Sequence, residues 1–330
     1  MTTHYAIRHL TRFTYASPVS ESVMELRMRP ASEGTQRCLQ FDVDLQPRAR
    51  VHAYRDFLGN WVHHFDLPRR HLRLAVTARA QVQLERPPLR PGSLPIEAWR
   101  EVDAWADRGE HWDFRHESHF SVWTAPLLAY AAELGPLAER TTDPLSTVRG
   151  LMTAMHRDFA YVPRSTRVDS PIDEALAARR GVCQDFTHII LALLRRVGLP
   201  CRYVSGYIAP RALDSSDEPT TIATHAWVEV LLPGLDWVGF DPTNDIEAGL
   251  RHVRVAIGRD YADVPPTRGV YKGGAASSLE VSVEVTPGDA LPAVDAAVVA
   301  AAAWTAEASL PDENADRLAL EQAQQQQQQQ

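Results

Sequence analysis

Cys183 stands in the stretch RRGVCQDFTHIILALLRRVGLP, directly after a glycine and at the head of an apolar run. Phe186, Ile189, Ile190, Leu193, Leu194 and Val197 recur at spacings of three and four, the stripe of an amphipathic helix, and Gly198 followed by Pro200 supplies its stop. A thiol at the start of that helix faces unpaired backbone N–H groups and the positive end of the helix dipole, which favours thiolate over thiol. Cys183 is therefore a candidate nucleophile. The alternative is a buried small hydrophobe, the usual state of a cysteine beside an apolar helix. Cys201, in GLPCRYVSGY at the head of a strand, and Cys38 both take that second reading.

A nucleophilic thiol needs a base. His188 is five residues along the same helix, about 140° of rotation away, and projects from another side. Thr187 shares the cysteine's face, where its hydroxyl caps or packs. The better base is His225 in THAWVEVLLPGLDWVGFDPTND, where two apolar runs flank the Pro-Gly turn of a β-hairpin. With Pro233 at the centre, His225 falls opposite Asp241, Trp227 opposite Gly239 and Glu229 opposite Trp237. Odd-numbered residues then share one face, with Cβ atoms of opposite pairs about 5 Å apart. Asp241 would fix one imidazole nitrogen and leave the other to exchange a proton with sulfur. Taken singly, His225 reads as a half-buried strand histidine and Asp241 as a turn carboxylate ahead of Pro242. Together with Cys183 they read as nucleophile, base and orienter.

The chain that must position these groups has 330 residues, 45% of them hydrophobic, enough for two modest cores. Its formal charge of -8 offers no broad basic field, so nucleic acid is not an expected partner. No window approaches the roughly 18 apolar residues of a membrane helix, and MTTHYAIRHLTRFTYASP has no apolar leader core. No membrane association and a cytoplasmic location are the expectation. Three cysteines without a CxxC pair point to reduced thiols, not to a disulfide framework or structural zinc.

Residues 1–88 read as a small all-β domain, a sandwich or barrel: HLRLAVTARAQVQLE alternates with period two, as does Leu39, Phe41, Val43 and Leu45. Residues 89–144 form a linker and helical lead-in, the linker being ERPPLRPGSLP, and Asp143 with Pro144 opens a helix. Residues 145–287 form the candidate catalytic domain, helices first and an antiparallel sheet after, with a strand at 279–286. Residues 288–330 are an Ala-rich and poly-Gln tail that cannot bury a core. The fold class is α+β.

GVCQDF, PCRYVSGY, HAWVEV and WVGFDPTND, in this order, resemble the transglutaminase-like superfamily, in particular its bacterial branch with a β-rich N-terminal region. GRDYADVPPTRGVYKG, residues 258–273, resembles that branch's C-terminal signature, so the likeness spans roughly residues 1–287. The resemblance implies a papain-like site of Cys183, His225 and Asp241, on a core of helices packed against an antiparallel sheet. It implies acyl transfer through a thioester on amides of peptides or proteins, by hydrolysis or by transfer to an amine. Gln184 stands where animal transglutaminases have a tryptophan, and their oxyanion-binding tryptophan has no match. The Cys183 N–H supplies one oxyanion donor, and Tyr161 in DFAYVP is the candidate for a second, against a reading as a packed aromatic.

No DxDxDG loop occurs, so neither metal nor cofactor is expected. HWDFRHESHF carries His111, Asp113, His116, Glu117 and His119. His116 and His119 at helical spacing admit a metal site, but without a cysteine partner or an HExxH arrangement the stretch reads as polar surface or a substrate-side segment. WVHH at 61–64 reads as a structural strand, Asp185 as a partner of the helix N-terminus, and Arg179 and Arg180 as a solvated pair or a thiolate partner. Two other classes stand beside the leading one. An arylamine N-acetyltransferase uses the same residue types in an RGGxCxE context, here RRGVCQD, and a scaffold would carry the triad as a relic.

Overall fold

The computed structural model describes residues 2–210 and 224–288. The Ala-rich and poly-Gln tail, from residue 289 on, lies outside the described residues. The chain opens with six strands: β1 (Thr2–Val19), β2 (Glu21–Leu26), β3 (Gln36–Gln46), β4 (His52–Arg55), β5 (Trp61–Leu67) and β6 (His71–Glu85). They fall into two antiparallel sheets whose inner faces bury Val19, Leu26, Met28, Leu45, Phe65, Leu74 and Val76. This is the sandwich that the period-two alternation predicts. Along β6 every even-numbered residue from Leu74 to Leu84 is buried.

Helices follow: α1 (Trp99–Asp107), α2 (Trp112–Arg115), α3 (Ala125–Leu134) and α4 (Pro144–Asp158). Asp143 caps α4 as expected, its carboxylate accepting the Leu145 and Ser146 N–H groups at 3.1 Å, with Pro144 in the first turn. The same oxygen accepts the Leu94 N–H at 2.9 Å and so ties the preceding linker to the helix start. Next come β7 (Ala160–Tyr161), α5 (Ile172–Ala178), β8 (Arg180–Gly181) and α6 (Cys183–Arg196). α6 ends as its sequence dictates: Gly198 adopts φ +90°, and the Leu199 N–H reaches back to the Leu194 carbonyl at 3.0 Å.

The second sheet region holds β9 (Cys201–Ile208), β10 (His225–Leu232), β11 (Asp236–Asp241), β12 (Ile246–Glu247) and β13 (His252–Gly258), in the order β12-β11-β10-β9-β13. Its strand pairings among the described residues are antiparallel. α6 packs on β9 and β10, and its apolar stripe shares one core with Ala226, Val228 and Val230. Helices against an antiparallel sheet, preceded by an all-β region, make the fold α+β.

The strands at the C-terminal end do not stay with this sheet. β14 (Thr267–Lys272) pairs with β2, and β15 (Ser277–Pro287) pairs with β1, so both complete the N-terminal sandwich. The sequence groups 145–287 as one catalytic domain, because local pattern identifies a strand but carries no record of a partner more than 240 residues away. The sandwich and the helical core are also continuous. Val82 and Leu84 lie farther along the same face of β6 as Leu74 and Val76, and with Tyr5 and Ile7 on the paired face of β1 they are buried in the same cluster as α6.

Replacing Asp143 removes the acceptor for three N–H groups at a buried position. Asp143→Ala is expected to lower unfolding free energy by about 1–2 kcal/mol in urea denaturation, with Asp143→Asn keeping most of it.

Candidate active site

Cys183 is the first residue of α6 and is half-buried. The turn before it is held by Asp185, whose carboxylate accepts the Val182 N–H at 2.8 Å and the Thr166 hydroxyl at 2.5 Å. Asp185 thus serves the helix N-terminus, as expected. Gly181 is required there, because a Cβ would lie 2.8 Å from the Asp185 side chain. Gln184, the residue that departs from the animal pattern, is buried and donates its amide to the Val168 carbonyl at 2.9 Å. It fixes the 162–171 segment beside the cysteine. The first-turn N–H groups of α6 have no carbonyl four residues back to bond, so the Cys183 N–H is a donor at the sulfur's side.

His225 opens β10 and Asp241 closes β11. The His225 Nε2–H donates to Asp241 Oδ2 at 2.8 Å, and both side chains are buried. The hairpin register differs from the expected one. Glu229 pairs with Gly239 and Leu231 with Trp237, which centres the hairpin on Gly234. Continuing that register sets Asp241 across from Trp227 and makes it a diagonal neighbour of His225. The turn explains the shift. Pro233 and Gly234 occupy the middle of a type II turn closed by the Leu235 N–H to Leu232 carbonyl bond at 3.0 Å, and Asp236 follows as an extra left-handed residue at φ 58°. Because each pairing moves by two residues, His225 and Asp241 keep the same face.

The electrostatics follow from these bonds. Burial would by itself pull the His225 imidazole down, but its hydrogen bonds to Asp241 and to the Cys183 sulfur, with the negative charge of each, push it up to about 10. With Nε2 committed to Asp241, the bond to sulfur falls to Nδ1. Asp241 is opposed by burial, yet the hydrogen bonds and charge around it hold it well below the usual carboxylate range. Its Oδ2 also accepts the Asn244 amide at 2.7 Å, and its Oδ1 accepts the Thr243 N–H at 3.0 Å and the Asn244 N–H at 3.3 Å.

A third side chain on Asp241 escapes sequence reasoning altogether. The His252 Nε2 lies 3.1 Å from Asp241 Oδ2, while its Nδ1 accepts the Gly249 N–H at 3.3 Å. That polarity makes Nε2 the protonated nitrogen, and burial drives His252 toward the neutral form. The ligand atoms of His225, Asp241 and His252 lie within 4.8 Å of one another, close enough for a metal ion to be considered. Both imidazoles, however, present N–H and not a lone pair to the carboxylate, so the arrangement suits protons. Trp227 packs against both rings, stacked on His225 at 6.2 Å and edge-on to His252 at 5.2 Å. Gly206 makes room for it: a Cβ there would lie 2.6 Å from the indole and 2.2 Å from the Val253 carbonyl oxygen.

The remaining candidates sort by position. Tyr161, on β7 beside the strand that leads into Cys183, is half exposed and therefore not a packed core aromatic. Burial and the neighbouring Cys183 charge both raise its phenol, so hydroxyl and sulfur lie within each other's field. His188 points away from the site, as expected: it stacks on Phe120 at 5.1 Å, accepts the Tyr261 N–H at 3.2 Å, and burial lowers it to about 3. The metal reading of 111–119 fails because α2 stops at Arg115 and His116 is extended. His116 stacks on Trp112, whereas His119 contacts Phe120. Arg179 pairs with Glu133 at 2.5 Å and lies over Tyr130, so it is no partner of the thiol. Cys201 is fully buried in the core, and burial raises its thiol to about 11.

Residues 5–83 match the model of the bacterial transglutaminase-like N-terminal region, and residues 134–242 match that of the transglutaminase-like superfamily. The chain belongs to the transglutaminase-like superfamily, in the bacterial form that carries this N-terminal region. An uncharacterized protein of Mycobacterium leprae is 35% identical over 280 residues, 84% of this chain and 96% of that protein. A protein-glutamine gamma-glutamyltransferase of Pseudomonas aeruginosa is 29% identical over 147 residues, 42% of this chain and 22% of that one. Among solved structures, a Cytophaga hutchinsonii protein provisionally described as a cysteine protease shares the fold. Its TM-score is 0.67 at 20% identity, covering 88% of this chain and 92% of that chain.

The elevated His225 has a thermodynamic consequence. A group whose folded pKa is raised from 6.5 to about 10 stabilises the fold fully below pH 6.5 and loses that contribution as pH rises through 10. The stability gap between the parent and His225→Gln is therefore expected to be widest at pH 6 and to narrow steadily by pH 10 in denaturant titrations. A gap that stays constant over that range contradicts the assignment.

Proposed function

We propose that this protein is a cysteine-dependent acyl-transfer or hydrolytic enzyme that cleaves an amide of a peptide or protein through a thioester. The observation that carries this reading is the continuous relay from the Asp241 carboxylate through the His225 imidazole to the Cys183 sulfur. An imidazolium beside a sulfur favours the thiolate, and an imidazolium is what Asp241 holds in place.

The steps follow from the geometry. The Cys183 thiolate attacks the amide carbonyl carbon, and the carbonyl π pair moves to oxygen. The Cys183 N–H receives that oxyanion, with the Tyr161 hydroxyl as second donor. Collapse of the intermediate breaks the C–N bond, and His225 gives its proton to the departing amine. The now neutral imidazole then takes a proton from water or from an incoming amine as that nucleophile attacks the thioester carbonyl. Thiolate and imidazolium are both regenerated. Asp241 keeps its charge throughout and holds the ring in one tautomer.

Support for a peptide or protein substrate comes from the superfamily and from two similar proteins, one a protein-glutamine gamma-glutamyltransferase and one provisionally described as a cysteine protease. We assign the protein to the cytoplasm because all three thiols are free. No helix among the described residues is long and apolar enough to cross a membrane.

Incubation with a glutaminyl peptide and a labelled primary amine separates transfer, which yields labelled product, from hydrolysis, which yields free acid. Either product is expected from the parent, none from Cys183→Ala, and about 10³-fold less from His225→Ala. A Cys183 that reacts with iodoacetamide no faster than Cys38 and Cys201 near neutral pH would instead favour the scaffold reading. Because His225 must carry a proton to release the amine, turnover is expected to fall as pH rises through about 10. Alkylation of Cys183, which needs only the thiolate, is expected to persist there.

A further inference from the structure

β13 lies at the outer edge of its sheet, with β9 on one side only. An edge strand presents unpaired N–H and C=O groups, and burying them without partners is costly. Two carboxamides from the N-terminal region meet them. Gln36, at the start of β3, accepts the Arg254 N–H at 2.8 Å and donates to the Arg254 carbonyl at 2.7 Å. Asn60, just before β5, accepts the Ile257 N–H at 2.8 Å and donates to the Ile257 carbonyl at 2.8 Å. Each side chain supplies one donor and one acceptor to a single residue, as a neighbouring strand would. Both are buried. Neighbouring groups reinforce both clasps: the Ala31 N–H joins Gln36 on the Arg254 carbonyl at 3.0 Å, and Asp56 accepts the Asn60 backbone N–H at 2.9 Å and its amide at 3.1 Å.

The strand held in this way begins at His252, and His252 hydrogen-bonds Asp241. We infer that the N-terminal β region is a positioning part of the active site: Gln36 and Asn60 fix β13, and His252 carries that constraint to Asp241 and so to the His225–Cys183 pair. The inference rests on the acyl-transfer reading given above. It gives the sandwich a role in the reaction, through an oriented hydrogen bond and not through contact with substrate. His252 and the two carboxamides are positioning residues. The charged and titratable groups facing His252 are Asp241 from β11, His225 from β10 and Arg251 beside it, and none is altered by the variants below.

The test uses the full chain with four substitutions, Gln36→Leu, Asn60→Leu, His252→Phe and His252→Gln. His252→Phe keeps the ring and removes the donor, while His252→Gln returns an N–H near the same place. Turnover of the glutaminyl peptide with the labelled amine, the pH at which turnover falls, and hydrogen exchange at the Arg254 and Ile257 amides are read for each. Gln36→Leu and Asn60→Leu are expected to speed exchange at Arg254 and Ile257 respectively. His252→Phe and both leucine variants are expected to lose about tenfold in kcat with KM within about twofold, and to move the alkaline fall to lower pH. His252→Gln is expected to recover most of both. Should a leucine variant fail to fold, Asn60→Ser, which shortens the clasp but keeps a polar group, is read in the same way. Variants with the parent's kcat and the parent's alkaline fall would overturn this inference alone. A parent whose turnover does not depend on Cys183 would overturn the acyl-transfer reading beneath it.

Discussion

The Asp241 carboxylate is the fixed point of this molecule. It is wholly buried and accepts hydrogen bonds from His225, His252, the Asn244 amide and the Thr243 and Asn244 backbone N–H groups. A buried carboxylate without such partners would take up a proton. With them it stays charged, and its charge has one principal outlet, the Nε2–H of His225. Proton affinity is thereby transferred from the carboxylate to the imidazole, which sits beside the sulfur.

The surrounding structure serves that transfer. β10 and β11 bring histidine and carboxylate onto one face, and the helix that starts at Cys183 brings its first residue to the ring's other nitrogen. Trp227 packs against both His225 and His252, and Gly206 is glycine because the indole and the Val253 carbonyl leave no space for a side chain. Asp185 and Gln184 perform the equivalent task around the helix start, one on the turn and one on the segment at Val168. The core beneath is continuous from the sandwich to α6, so the site is built on one packed body.

Much of this was legible in the sequence, for physical reasons that can be named. The α6 stripe, the Gly198 stop, the Asp143 cap and the β6 alternation are local signals, and each matches its element. The hairpin face was legible although its register was not. Alternation fixes parity, but the position of the turn depends on whether a left-handed residue follows Pro-Gly, and nothing in LPGLDW declares Asp236 as that residue. His252 was not legible. Its partner Asp241 lies on β11, and the sheet places β13 beside β9 at the far edge from β12, an order no local pattern encodes. The return of β14 and β15 to the first sandwich was hidden for the same reason. The available clue was the alternation of HVRVAIG itself, which marks His252 and Arg254 as sharing a face without saying what that face meets.

An Asp241 that holds its charge keeps His225 protonated beside Cys183. Proton NMR of the full chain with ¹⁵N-labelled histidine, the resonance assigned by its loss in His225→Gln, reads that protonation directly. The account predicts an imidazolium signal for His225 that persists through neutral pH and disappears only toward pH 10. A His225 that titrates near 6.5, as an ordinary histidine does, would contradict it.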